Sequence, residues 1–364
     1  MSWPGIVEAY RNWLPVPDRA PAVTLLEGNT PLVPAERLRE LLPPRARPLA
    51  LLLKLEGCNP TGSFKDRGMA CALTCCRARG ARAVICASTG NTAAAAAAYA
   101  ARAGMACILV LPAGGVAAGK LVQALACGAR LIQVAGNFDA ALEAVRRTVE
   151  GRGDLVWVNS VNPDRLHGQK TAAFEVVDAL GDCGLGEPAA LFLPVGNGGN
   201  ITAYAMGFRE YRAAGRLSRL PRLFGVQAEG AHGLRPEGPV EHPRTVASAI
   251  RIGRPVYREQ ALAAVRESGG AVLTVSDQEI LDAQRLLAAA EGVFAEPASA
   301  ASVAGLLKAA REGWLEPEGP VVCVLTGHGL KDTDTAARWA LGEALPEPVP
   351  PRNRSPTCWR PRPR

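Results

Sequence analysis

Aromatic side chains are scarce in this sequence: Phe, Trp and Tyr together make up 5% of 364 residues. Packing must therefore lean on Ala, Val and Leu. Histidine is scarcer still, with 4 in the whole chain, and no cluster has the spacing of a metal-ligand set, so no metal is expected. The 38 glycines and 29 prolines show no G-x-y period, which excludes a collagen-like helix. The start, MSWPGIVEAY, lacks the basic and apolar regions of a signal peptide. A long charge-free run, Ala83–Ala101, contains Ser88-Thr89-Gly90-Asn91-Thr92 and is otherwise mostly Ala, too polar to span a bilayer. A cytoplasmic protein with no membrane partner is expected.

What is present is ordinary for a globular chain: 48% hydrophobic and 21% charged residues. The length suits two domains, or one large one. The net charge of +7 and pI of about 9.0 suggest nucleic acid, but the location of the charge argues against it. Pro351–Arg364 holds five arginines, Arg352, Arg354, Arg360, Arg362 and Arg364, and no acid. Subtracting those five from +7 leaves +2, so the body is nearly neutral and residues 346–364 read as a solvated, disordered Pro/Arg tail. The 10 cysteines fall in apolar stretches such as Ala83–Ser88 and Val321–Thr326, as reduced, buried thiols do.

Short β-branched runs alternate with longer Ala-rich helical patterns. Strands are expected at 49–55, 83–87, 106–111, 131–135, 155–158, 190–195, 222–227, 272–275 and 321–325. Helices are expected at 65–79, 92–103, 117–127, 139–150, 168–180, 200–214, 277–291 and 298–312, with Ser276-Asp277-Gln278-Glu279 as a capping box. The alternation predicts an α/β protein with largely parallel sheets flanked by helices. In such sheets ligands sit beyond the carboxyl ends of the strands.

Four of the strand-to-helix loops are unusual. Lys65 stands where the turn-rich Glu56–Gly68 loop enters a helix. The partial positive charge of a helix start, with partial burial, lowers a lysine's pKa and favours the neutral amine that Schiff-base chemistry needs; a lysine that reaches solvent is the bland alternative. Ser88–Thr92 gathers hydroxyls, an amide and free N–H groups at a helix start, which suits an anion or equally a simple N-cap. Gly196-Asn197-Gly198-Gly199-Asn200 lets the backbone curl around an anion, but matches neither the G-x-x-x-x-G-K-[ST] nor the G-x-G-x-x-G pattern. Thr326-Gly327-His328-Gly329-Leu330-Lys331-Asp332 offers a hydroxyl to a ring nitrogen, or is a turn with two glycines.

Taken in order, Asn59–Gly68 resembles the cofactor-lysine motif of the threonine synthases, a family of the tryptophan-synthase-β-like group of pyridoxal-phosphate enzymes. The resemblance runs from about Trp3 to about Ala340. It implies pyridoxal 5'-phosphate as cofactor, with Lys65 as the catalytic, cofactor-holding amine. Asn91 would bond the ring's 3-hydroxyl, Gly196, Asn197, Gly198, Gly199 and Asn200 would cradle its phosphate, and Thr326 would face its ring nitrogen. Ser88, Thr89 and Thr92 would hold the substrate carboxylate. The donor-rich segment Val158–Thr171 points to a second phosphate, and the resemblance assigns Asn159, Ser160 and Arg165 to it. His328 departs from the Asn more usual there, and Cys58 from a larger apolar residue.

The resemblance further implies the two-domain fold type II of these enzymes, with the cofactor in the cleft. The large domain is expected at 1–62 and 158–345, and a small substrate-side domain at 63–157. A homodimer acting on a small molecule is expected, converting O-phospho-L-homoserine and water to L-threonine and phosphate. A threonine/serine dehydratase of the same fold is the alternative, since it needs only the four shared motifs. A nucleic-acid-binding protein would leave Lys65 and its loops without purpose.

Overall fold

The β-branched runs pair into two separate sheets. The computed structural model describes residues 2–48, 50–113, 118–136, 138–315 and 318–340. The basic segment, Cys358 and the expected domain limit at 345 lie outside the described residues. The strands are β1 (Leu32–Pro34), β2 (Leu51–Leu55), β3 (Ala83–Cys86), β4 (Ala106–Pro112), β5 (Arg130–Val134), β6 (Leu155–Trp157), β7 (Ala190–Pro194), β8 (Arg222–Ala228), β9 (Ala271–Val275) and β10 (Val321–Leu325). The helices are α1 (Ile6–Ala9), α2 (Glu36–Glu40), α3 (Lys65–Ala78), α4 (Asn91–Ala103), α5 (Ala118–Ala126), α6 (Phe138–Val149), α7 (Pro163–Asp182), α8 (Gly199–Ala213), α9 (Arg258–Glu267), α10 (Asp277–Glu291), α11 (Pro297–Glu312) and α12 (Thr333–Ala340).

The larger sheet has six strands in the order β1-β2-β10-β7-β8-β9, and the smaller has four, β5-β4-β3-β6. Every pairing is parallel except β1 with β2, an antiparallel edge too short to show a pattern in the sequence. In the larger sheet β2, β10 and β7 are neighbours, so the loops at their carboxyl ends adjoin. In the smaller sheet β3 and β6 are neighbours, with the same result.

The long strands and helices lie within a few residues of their expected places. The Ser276 capping box is formed, both of its hydrogen bonds included. One helix differs where it matters. The sequence pattern predicts a start for α7 at 168, but the helix begins at Pro163 because the Asn162 side chain accepts the Asp164 N–H at 3.0 Å and Pro163 takes the first turn. Arg165 therefore stands on a helix, not in a loop. The short α1 and α2, and α9 and α12, are additions to the expected elements. No helix of the described residues is long and apolar enough to cross a membrane.

Small residues bring the helices close. A Cβ on Gly168 would lie 2.1 Å from the Arg67 carbonyl oxygen, and one on Gly207 would lie 2.6 Å from that of Lys170. These two contacts set α7 against α3 and α8. The few aromatics are concentrated: Phe174 stacks on Tyr211 at 4.2 Å, with Trp13 at 5.2 Å, and Phe192 stacks on Phe224 at 4.5 Å. Such rings contribute about 1.5–3 kcal/mol each by burial.

At the same junction lies a closed ionic cluster. Arg67 bonds Glu56 at 2.7 Å and Glu175 at 2.6 Å, and Lys54 bonds Glu175 at 2.8 Å. Burial alone would raise the Glu175 pKa, but Arg67 and Lys54 outweigh it and hold the carboxylate at about 2. The cluster joins β2, the turn after it, α3 and α7. It thereby fixes the helix whose first residue is Lys65.

Candidate active site

Loops from both sheets line one cavity of about 1090 Å³. The carboxyl ends of β2, β7 and β10 approach it from one side and those of β3 and β6 from the other. All the residues selected from the sequence reach its wall: Lys65, Ser88, Thr89, Asn91, Thr92, Asn159, Ser160, Arg165, Gly196, Asn197, Gly198, Gly199, Asn200 and Thr326.

The loop before Lys65 is pinned from several directions. Its Phe64 N–H donates to the Thr326 carbonyl at 3.0 Å. Gly62 adopts φ 88°, a conformation open to glycine. Thr61 bonds the Asp66 carboxylate through its N–H at 2.6 Å and through its hydroxyl. Burial pushes Asp66 up to about 7 against those bonds. Lys65 Nζ lies 4.1 Å from the Phe64 ring centre and has no hydrogen-bond partner among the described residues. Burial and the charge of Arg165 lower its pKa to about 7, with Glu296 opposing. The lowering expected at a helix start is present, and desolvation is its main cause.

Two helix starts supply backbone donors. No side chain caps α4, so the N-cap reading of Ser88–Thr92 gives way to one with free N–H groups facing the cavity. Asn91 donates to both oxygens of Glu296, at 3.1 and 3.2 Å. At α8, Gly198 is left-handed at φ 80°, and no side chain caps the helix. A Cβ on Gly196 would stand 3.0 Å from the Ile250 Cα, so a larger residue there would push the loop away from its support. The Asn200 side-chain nitrogen is buried without a partner among the described residues. This is a cradle with donors to spare.

Arg165 is the unusual group. It is 2% exposed, its Nη1 donates to the Val158 carbonyl at 3.1 Å, and its Nε has no partner among the described residues. Burial lowers its pKa to about 10. A buried guanidinium without a carboxylate is costly unless an anion joins it. Ser160 stands beside it on the cavity wall. Asn159 is otherwise engaged: its amide exchanges two 2.8 Å bonds with the Ala87 backbone and accepts from Trp157 at 2.6 Å. It ties the ends of β3 and β6 together.

Thr326 closes the ring side. Its hydroxyl lies 3.0 Å from that of Ser299, and both are buried. His328 accepts the Leu330 N–H on Nδ1 at 3.1 Å, as an Asn side-chain oxygen there would, which explains the departure noted in the sequence. Cys58 is exposed and away from the cavity wall.

Three further wall residues with polar side chains were given no role from the sequence. Glu296, 4% exposed and pushed up to about 7 by burial, precedes Pro297 at the start of α11. Lys331 bridges the Thr61 carbonyl at 3.0 Å and the Gln123 side chain at 2.5 Å, joining the two lips of the cavity. Tyr257 carries no sequence signal at all. The Glu-Pro pair before an Ala-rich helix was a readable sign for Glu296, and Lys331 lies within the Thr326–Asp332 segment already noted.

The chain matches the family of pyridoxal-phosphate dependent enzymes over residues 23–327. It is 55% identical to a threonine synthase of Mycobacterium leprae (strain TN), over 95% of this chain and 94% of that protein. It is 54% identical to a threonine synthase of Synechocystis sp., over 92% of this chain and 85% of that protein. Among solved structures, a threonine deaminase of T.th. superposes with a TM-score of 0.67 at 27% identity, covering 83% of this chain and 92% of that one.

Proposed function

The chain belongs to the pyridoxal-phosphate dependent enzymes and, within them, to the threonine synthases, and from that premise we propose how its own residues convert O-phospho-L-homoserine and water to L-threonine and phosphate. The residues present fit the cofactor. Among the described residues the Gly196–Asn200 cradle has an unpartnered Asn200 amide and Lys65 has no hydrogen-bond partner, and Thr326 offers a neutral hydroxyl rather than a carboxylate. Lys65 would hold the cofactor through its amine, the cradle its phosphate, and Thr326 its ring nitrogen. When bound, the cofactor withdraws electrons from the substrate's α-carbon.

Substrate is held at both ends. Free N–H groups and the hydroxyls of Ser88, Thr89 and Thr92 take the carboxylate. Arg165 takes the γ-phosphate, with Ser160 beside it and Asn159 holding the two strand ends in place. Lys65 would accept the Cα proton on Nζ; an amine poised at about 7 can do this near neutral pH. Loss of a Cβ proton would then expel phosphate; a proton taken up at Cγ, water added at Cβ and return of the proton from Lys65 Nζ to Cα would give L-threonine. The Asn91 amide, now on Glu296, is the group that would turn to the ring's 3-hydroxyl. The two sheets correspond, in this reading, to a small domain at 63–157 and a large one from the remainder. A cytoplasmic homodimer completes the proposal, and sedimentation equilibrium tests its size.

The observation that carries this function is Arg165, a buried cation with an idle donor and no carboxylate bonded to it among the described residues. A dehydratase releases water and has no use for such a group. The deciding experiment supplies purified protein with O-phosphohomoserine and, separately, with threonine. Equal amounts of phosphate and threonine from the first are expected. Ketobutyrate and ammonia from the second, without phosphate release from the first, would return the dehydratase. Borohydride should bleach the visible band and attach the cofactor to Lys65.

A further inference from the structure

Tyr257 lies between the two anion segments and belongs to neither. Its hydroxyl donates to the Ser160 carbonyl at 2.6 Å. Its backbone N–H donates to the Asn197 carbonyl at 3.0 Å, and the Val256 N–H reaches the Asn197 side-chain oxygen at 3.4 Å. A Cβ on Gly199 would stand 3.5 Å from the Tyr257 ring, and one on Gly198 would stand 2.9 Å from its carbonyl oxygen. One residue thus grips the glycine loop by its backbone and the Asn159–Arg165 segment by its side chain.

The Ser160 carbonyl is a sensitive point to hold. Two residues later Asn162 caps α7, and the Arg165 N–H bonds the Asn162 carbonyl at 3.3 Å. Where Ser160 sits therefore decides where the first turn of α7, and the Arg165 guanidinium, begins. Two phosphates must be held in one cavity at a set separation, and a misplacement of about 1 Å can cost about 100-fold.

We propose that Tyr257 is a positioning residue that sets the spacing between the glycine loop and the Ser160–Arg165 segment, and thereby the preference for a phosphorylated over an unphosphorylated amino acid. This rests on the function proposed above. Tyr257 touches no reacting atom in this account; it acts through Ser160 and Arg165.

The test is Tyr257→Phe in the holoenzyme, which keeps the ring on Gly199 and removes only the bond to Ser160. The KM for O-phosphohomoserine should rise roughly 3–10-fold with kcat within about twofold, as for a lost binding hydrogen bond. Inorganic phosphate should bind more weakly by a similar factor in calorimetry. Cofactor affinity, and L-threonine binding read from the visible spectrum, should stay at wild-type values. Wild-type KM and phosphate affinity in Tyr257→Phe would overturn the proposal. So would equal losses toward threonine and cofactor, which mark a merely structural role. If the wild type turns over no O-phosphohomoserine, the proposed function falls, while phosphate binding to the two proteins still decides the role of Tyr257.

Discussion

Arg67 and Arg165 are both closed off from water, 0% and 2% exposed, and both are contributed by the first turns of helices that pack on each other. Their surroundings are opposite. Arg67 is bonded by the carboxylates of Glu56 and Glu175, and its pKa stands well above the ordinary value because those charges outweigh burial. Among the described residues Arg165 has a single backbone carbonyl and an idle Nε, and its pKa is lowered by burial. Lys65 is of the second kind: desolvated, lowered to about 7, and without a hydrogen-bond partner among the described residues. A buried cation matched by carboxylates is part of the framework. One without them is stabilised only when a ligand supplies the missing anion or bond.

This contrast makes predictions of different kinds for neighbouring residues. The largest effect is on turnover: Lys65→Ala should abolish it, together with the borohydride-trapped adduct. The melting temperature of the cofactor-free protein should hold or rise, since a desolvated cation is removed. A trapped adduct at another lysine would place the chemistry elsewhere.

Arg67→Ala should act on stability instead, costing about 3–5 kcal/mol because Glu56 is left buried without its cation and Glu175 keeps only Lys54. Urea unfolding measures it, and a loss near zero would erase the distinction between the two arginines. The same cluster fixes a pH trend. Glu175 is at about 2 in the fold, below its ordinary unfolded value, so its contribution is full above that value and is lost as pH falls toward 2.

Arg165→Ala should leave stability intact or improved, while kcat/KM for O-phosphohomoserine falls roughly 10–200-fold, the loss of a charge-assisted bond of about 1.5–3 kcal/mol. Arg165→Lys should recover part of this, because it keeps the charge and loses the planar fork. Cofactor occupancy should not change. Loss of cofactor, or destabilisation like that of Arg67→Ala, would put Arg165 in the framework class.

A smaller effect is expected at Glu296, whose charge favours the proton on Lys65. Glu296→Gln removes that influence, so the Lys65 pKa should fall and cofactor loading should stay fast to lower pH. The rate at which cofactor-free protein regains its visible band, followed against pH, reads this directly; a shift to higher pH would reverse the assignment. The smallest effect belongs to His328→Asn. An Asn oxygen can accept the Leu330 N–H as His328 Nδ1 does, and activity and melting temperature should stay within error.

Much of this was legible before any coordinates. The long strands and helices carried their periodicities, and the loops at 59–68, 88–92, 196–200 and 326–332 stood at strand ends, where parallel sheets place ligands. The start of α7 was missed although its Asn-Pro signal was present, because the donor-rich segment read as a loop. β1 and the short helices were missed because their hold comes from neighbours: β1 is an edge three residues long, paired antiparallel to β2. Asn159 was read as a substrate donor, yet its amide is committed to the Ala87 backbone, a partner 72 residues away.

Sequence alone marked the candidate residues, since glycine loops, a lysine at a helix start and an arginine in a donor-rich segment are local patterns. It could not say which cations would be paired. Arg67 meets Glu175 across 108 residues, and Tyr257 meets Ser160 across 97. Those meetings depend on how α3, α7 and the loop before α9 pack. Only the tertiary structure decided that one buried arginine is paired with carboxylates and that the other, among the described residues, is not. The physical reason is that desolvation and charge pairing depend on distance in space, which spacing along the chain does not encode.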